Sequence, residues 1–276
     1  MNIFNTEWNV IFNIGIKCNA TIILDQAKMR YFSSPWDNID STYGLRAMAD
    51  VMAEGFDDYM KVEDWGLGNW YDYSVHSNVS NKINRKKMFY NKRYESSIRE
   101  YGMLTYPHLD YSWVKNKIRK RWFDRWQRHP SKSMNDWRAK CVWEGFTETF
   151  GRRQTRLKTI MESQNKILFL RLDDSRIYDP TRGPEHSRLI DTDKDIEHFV
   201  QTIGKAYPNL KFGYLHYFLD KDNNRGMKET TSDICHVEKI PSAKYCKMDD
   251  FGRCDWIFQQ LSKIKLLPRE KMEKYE

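Results

Sequence analysis

A cysteine set directly after an apolar run and a glycine, at the start of a helical pattern, is placed for nucleophilic chemistry. Residues Val10-Ile11-Phe12-Asn13-Ile14-Gly15-Ile16-Lys17-Cys18 read as a strand and a Gly turn, and Asn19-Ala20-Thr21-Ile22-Ile23-Leu24 as the helix that follows. The first N–H groups of that helix carry the positive end of its dipole, and Lys17 adds a cation; both favour a thiolate at Cys18. The same corner suits a second chemistry, because Gly15 before a helix N-terminus is a seat for phosphate. A third reading is a buried structural thiol closing the first strand–helix unit. Local residues alone leave the three open.

Two further groups bear on the phosphate reading. Arg152, Arg153 and Arg156 lie shortly before a strand ending near Arg171, so several guanidinium groups are available to grip a diphosphate bidentately. Asp173-Asp174 and Asp220-Lys221-Asp222 each follow an apolar run. Acidic pairs there can hold Mn2+ or Mg2+ against a diphosphate through hard oxygen ligands, and are also ordinary turn chemistry. Cys235-His236, Cys246 and Cys254 lack the paired spacing of a zinc site. Asp195 and His198, at i, i+3 on a helix, read as a surface pair. His216, inside an apolar strand, reads as a hydrogen-bonded core histidine, and His76 as a solvent-exposed loop residue.

To bring such groups together, strands must end at a common edge. The periodicity predicts strands over 9–15, 31–34, 101–106, 166–172, 210–219 and 230–238, and a further one over 243–247. Helices are expected over 19–29, from Asp40 or Ser41 to about 53, and over 82–100, 111–128, 134–163, 193–207 and 253–263. Trp113, Ile118, Trp122 and Trp126 recur at near-helical spacing, which marks core or interface positions. Trp65-Gly66-Leu67-Gly68-Asn69-Trp70 reads as an aromatic loop, 173–190 as another loop, and 269–276 as a fraying tail. Strands alternating with helices argue for an α/β protein with an open, mainly parallel sheet flanked by helices, carrying a helical insertion over 111–163. With no repeat and no low-complexity linker, one domain over 1–276 is expected.

The chain has 276 residues, 40% hydrophobic and 30% charged, with a net charge of +8. It has no apolar run of bilayer length, so no transmembrane segment is expected. The first residues lack the basic and apolar regions of a secretory signal. Five scattered cysteines without C-x-x-C spacing point to a reducing compartment, the cytoplasm, or the host cytoplasm for a viral chain. The basic runs Lys82–Arg93 and Lys115–Arg128 should attract phosphate on a nucleotide-linked substrate, an anionic membrane or nucleic acid, unless they are simply a solvated face. No nucleic-acid-binding motif accompanies them, so nucleic acid ranks last of the three. The ten Trp and sixteen Tyr serve a core, and they also suit stacking on sugar rings or bases.

Four stretches share the order and spacing of a known pattern: the strand–Gly–x–x–Cys opening, Met29-Arg30-Tyr31-Phe32-Ser33-Ser34-Pro35-Trp36-Asp37, the strand ending at His108, and Arg152-Arg153 before Ile167-Leu168-Phe169-Leu170-Arg171. Over about residues 9–218 the chain resembles an uncharacterised papain-like cysteine peptidase domain family of bacteria and large DNA viruses. The resemblance implies Cys18 as nucleophile, His108 as base, and Asp37 or Asp110 as the group orienting the imidazole. It departs from the pattern where Leu109 separates His108 from Asp110, and in its longer helical stretch afterwards.

Two functions follow as expectations. The first is a cysteine-nucleophile enzyme of peptidase or acyl-transfer type, acting without a cofactor on a peptide or glycan-type substrate. The second is a glycosyltransferase holding a nucleotide sugar at Gly15, Lys17, Arg152, Arg153, Arg156 and Arg171, with a divalent metal at Asp173, Asp174, Asp220 and Asp222.

Overall fold

A computed structural model of the chain describes residues 2–15, 19–37, 44–71, 85–92, 105–106, 112, 114–128, 133–163, 165–173, 193–218, 228–241 and 255–275. Its centre is a sheet in which β2 (Val10–Asn13), β6 (Lys166–Asp173), β7 (Lys211–Phe218) and β9 (Cys235–Lys239) run parallel in that order, with β8 (Thr230–Thr231) antiparallel on the far edge. The inner strands β6 and β7, with β2, are near-continuous apolar runs because both faces are covered.

Alternation divides the faces. Val10, Phe12, Ile167, Phe169, Phe212 and Tyr214 join one buried cluster, with α2 (Gly44–Ala53), α4 (Trp137–Glu162) and α5 (Asp193–Ala206) contributing Met48, Leu157 and Phe199. Ile11, Leu168, Leu170, Leu215 and Tyr217 join the other, under α1 (Asn19–Gln26) and α6 (Asp255–Leu261). This is the mostly parallel α/β architecture expected, with helices on both sides.

The strand nearest the N-terminus serves two sheets. β1 (Glu7–Trp8) pairs with β10 (Lys265–Leu266), and one residue later β2 pairs with β6. Asn9 makes the switch: its N–H donates to the Lys166 carbonyl at 2.9 Å, and its Oδ1 accepts from the Lys166 N–H at 2.7 Å. Trp8 lies flat over Gly213, where a Cβ would come within 2.7 Å of the indole, so only glycine lets strand and ring meet so closely.

Several local expectations are corrected. Residues 31–34 form no strand; they run beside the open edge of β2, held by side-chain bonds. The 65–70 stretch belongs to β3 (Trp65–Tyr71), and the basic stretch expected as helix contains β4 (Arg85–Asn91). These pair antiparallel, with β5 (Thr105–Tyr106) beside β4. Trp65, Leu67 and Phe89 are buried from this small sheet against Trp143 and Phe146 of α4. A chain of ring contacts, Trp36–Tyr59 at 5.7 Å and Tyr59–Trp65 at 5.3 Å, joins it to the main layer.

The helical stretch is not set apart from the sheet. α4 buries Phe150, Leu157, Ile160 and Met161 in the same cluster as Phe12 and Phe169. It begins at Asp136, which accepts from the Arg138 N–H at 2.9 Å as a helix cap, from the Arg138 side chain, and from the Trp126 indole of α3 (Lys120–Gln127) at 3.1 Å. The Arg138 and Trp126 bonds outweigh burial and hold the Asp136 carboxyl below its ordinary value.

The tail expected to fray instead forms a docked turn over Arg269–Tyr275. Met272 is buried, Arg156 donates to the Tyr275 carbonyl at 2.8 Å, and Asn165 donates to the Tyr275 hydroxyl at 2.9 Å. The predicted strand over 243–247 and the loop over 173–190 lie outside the described residues, apart from Asp173 at the end of β6.

Candidate functional site

In an open α/β sheet ligands bind beyond the carboxyl ends of the strands. Here that edge is built on a buried polar cluster. Asn13, the last residue of β2, is 2% exposed. Its Nδ2 donates to the Thr21 hydroxyl at 2.9 Å and toward Asp37 Oδ1 at 3.4 Å, while its Oδ1 accepts from the Gly15 N–H at 2.6 Å. A Cβ on Gly15 would fall 2.7 Å from that Oδ1 and 3.2 Å from the Ala20 methyl. The glycine is therefore required by close approach.

Asp37 is the hub. Its Oδ1 accepts from the Thr21 hydroxyl at 2.8 Å, and its Oδ2 from Arg30 at 2.6 Å and the Ser34 N–H at 2.9 Å. Arg30 also donates to Ser33 and to Asp25 of α1. Burial opposes the Arg30 charge, but Asp37 and Asp25 more than restore it and its pKa is raised. The Ser34 hydroxyl donates to the Asn13 carbonyl at 3.0 Å and accepts from the Trp36 N–H at 3.1 Å, capping the edge of β2 where no strand follows. The stretch Arg30-x-x-Ser33-x-Pro35-Trp36-Asp37 is thus a closed loop whose polar residues bond one another.

A second element approaches from the opposite face. Arg171 of β6 is fully buried and donates to the Ile14 carbonyl at 2.6 Å, extending the hold on β2 past its last ladder bond. Its register partner on β7 is His216, also fully buried, with the Tyr214 hydroxyl 3.0 Å from Nδ1. His216 is the hydrogen-bonded core histidine that its strand predicted.

The sequence-derived candidates separate on this framework. Gly15 and Asp37 meet at the edge through Asn13. Asp37 is expected as one of two groups orienting a histidine; its oxygens are engaged by Asn13, Thr21, Arg30 and Ser34, and His108 lies outside the described residues. Arg171 reaches the same edge as a backbone clamp. Arg153 lies over the Phe150 ring and donates weakly to the Ser34 carbonyl at 3.4 Å. Arg156 donates to the Tyr275 carbonyl and lies over Phe32, and Arg152 is exposed. Arg153 and Arg156 thus both border the 30–37 loop.

Lys17, Cys18, His108, Asp110, Asp174, Asp220 and Asp222 lie outside the described residues, as do His76, Cys246 and Cys254; of Asp173, only its place at the end of β6 is described. Among the described residues no group of His, Cys, Asp and Glu is arranged to hold a metal. Asp195 and His198 do not pair with each other: Asp195 bonds Arg46, and His198 lies 2.8 Å from Asp50, both on α2. Asn13, Thr21, Arg30 and Ser34 were missed as site residues; the signal was polar residues flanking apolar ones at a strand end.

Fold and edge define an α/β protein whose first strand, first helix and following loop are fastened by one buried carboxylate. Comparison with protein-family models, curated proteins and solved structures found no match to the chain. No helix among the described residues is long and apolar enough to cross a membrane.

Proposed function

We propose that the chain is a cysteine-nucleophile enzyme of the hydrolase or acyl-transfer type, with Cys18 attacking and His108 as base. The observation that carries this reading is the double anchorage on Asp37. Asn13 at the end of β2 and Thr21 in the first turn of α1 both donate to its Oδ1. Cys18 directly precedes the first residue of α1 in sequence, and the anchorage fixes the described residues Asn13 and Thr21 on either side of it. The N–H groups of a first helical turn suit a developing oxyanion.

In this reading the Cys18 thiol gives its proton to His108, and the thiolate adds to a substrate carbonyl carbon. The carbonyl π electrons move to oxygen and return as the leaving amine or alcohol departs, taking the proton from His108. Water, or an acceptor nucleophile, then cleaves the thioester. Asp110 serves as the orienting carboxylate, and Asp37 holds the backbone. The family resemblance of the sequence supports the same assignment.

Iodoacetamide labelling followed by peptide mapping tests it. Cys18 should react fastest of the five cysteines and keep reacting below the ordinary thiol pKa of about 8.5. His108→Ala should abolish that low-pH reactivity. Labelling of Cys18 at the rate of an ordinary thiol would overturn the proposal. So would stabilisation by a UDP or GDP sugar with Mn2+ that survives Cys18→Ala.

A further inference from the structure

The second basic run of the sequence folds into a surface that the site at the sheet edge does not use. Between residues 114 and 128 there are seven basic side chains and one acidic one. Val114, Ile118, Phe123 and Trp126 turn inward to the core. The outer face keeps the charge: Asp124 pairs with Lys120 and Glu144 with Lys117, while Lys115, Arg119, Arg121, Arg125 and Arg128 are exposed excess cations.

Within this charge lies an indole that the core does not need. Trp122 is 46% exposed, and the guanidinium carbons of Arg121 and Arg125 lie 5.6 and 6.0 Å from its ring centroid, within cation–π reach. Trp126, one turn on, donates to Asp136, and the next residue, Trp137, is 59% exposed. Two exposed indoles thus flank the bond that joins α3 to α4. Trp is enriched at interaction surfaces, where its ring offers apolar area and its N–H a polar end.

We propose that this face of α3 and the start of α4 binds single-stranded nucleic acid, with Trp122 and Trp137 stacking on bases and the arginines contacting phosphates. Charge complementarity selects the occupant. Five exposed cations repel a second copy of the same face, and a polyanion satisfies them. A membrane surface fits less well, because the apolar residues of α3 are spent on the core and leave no hydrophobic stripe to insert. Flat indoles beside guanidinium groups match the stacking-plus-phosphate pattern of strand-binding grooves, which tolerate any base sequence.

Fluorescence polarisation with labelled oligo-dT and oligo-U about 12 nucleotides long tests it. If all five cations take part, log K should fall against log salt with a slope of about −3.5. Arg121→Gln with Arg125→Gln should flatten that slope by about 1.4. Trp122→Ala should weaken binding about tenfold without changing the slope. Cys18→Ala should bind normally, which separates this surface from the proposed thiol site. Unchanged affinity on Trp122→Ala, or duplex DNA bound as tightly as the single strand, would overturn the proposal. Trp122-dependent binding to phosphatidylserine vesicles or to polyglutamate, without oligonucleotide binding, would overturn it too. Thermal melts of each variant confirm folding, since both substituted faces are exposed.

Discussion

Arg30 and Asp37 meet at 2.6 Å, and the two ends of the bond are unequally buried: the carboxylate side chain is 1% exposed and the guanidinium 19%. Asp37 cannot recover water if Arg30 is lost, whereas Arg30 keeps Asp25 and some solvent. Within the ion pair, loss of the cation is therefore the harder change for the partner left behind; loss of Asp37 acts mainly through its other donors, Thr21 and the Ser34 N–H.

Asp37→Ala should cost about 3–5 kcal/mol, because it removes one of the two carboxylates of Arg30 and leaves the Thr21 hydroxyl and the Ser34 N–H buried without their acceptor. Thr21→Val should cost about 2 kcal/mol, because the hydroxyl both donates to Asp37 and accepts from Asn13. Urea unfolding measures both. A loss under about 1 kcal/mol for Asp37→Ala would show that the cluster does not hold the edge together.

Asp136 sets a pH limit on α4. Its folded pKa lies below the unfolded value of about 3.9, so its stabilisation is complete above that value and fades as pH falls through it toward the folded pKa. Asp136→Asn should flatten the acid limb of a stability–pH profile, and Asp136→Ala should cost about 1–2 kcal/mol at neutral pH through loss of the cap. An acid limb unchanged by Asp136→Asn would contradict the assignment.

Cys235 provides the internal reference for thiol reactivity. Burial, with Asp193 adding to it, pushes its thiol up to about 11. At pH 8 it should alkylate far more slowly than a free cysteine, its rate still climbing near pH 10. Peptide-resolved labelling at several pH values would show this. Rapid reaction at neutral pH would mean that this end of β9 opens to solvent.

The sequence showed the main sheet clearly and the small one hardly at all. β6 and β7 were legible because both faces are covered, which makes residues 167–172 and 212–218 apolar apart from Arg171 and His216. Those two interruptions lie on the face that holds Phe169 and Tyr214. β4 was misread because Lys, Arg and Met favour helix locally, and pairing with β3 overrides them. The clue that remained was Trp65 and Leu67 at period two, blurred by the glycines between and after them.

The site itself was half visible. Gly15 and Asp37 stood out, the first by its turn and the second by its motif. Their connection through Asn13 and Thr21 joins residues as far as 24 positions apart, a relationship that local spacing does not contain. Residues 31–34 alternate too little to distinguish a strand from a loop bonded through hydroxyls. Likewise the tail looked polar enough to fray, and burial of Met272 with the bonds of Tyr275 to Arg156 and Asn165 explains why it docks.

The switch at Asn9 gives the fold an order of assembly. Glu7 and Trp8 find their ladder partners only at Lys265 and Leu266, while Val10 to Asn13 wait for residues 167–170. During synthesis the first strand is made first and completed last. Its apolar residues pass through most of translation without the neighbours that will cover them, so closure of β1 on β10 is a late, long-range step that follows formation of the central sheet.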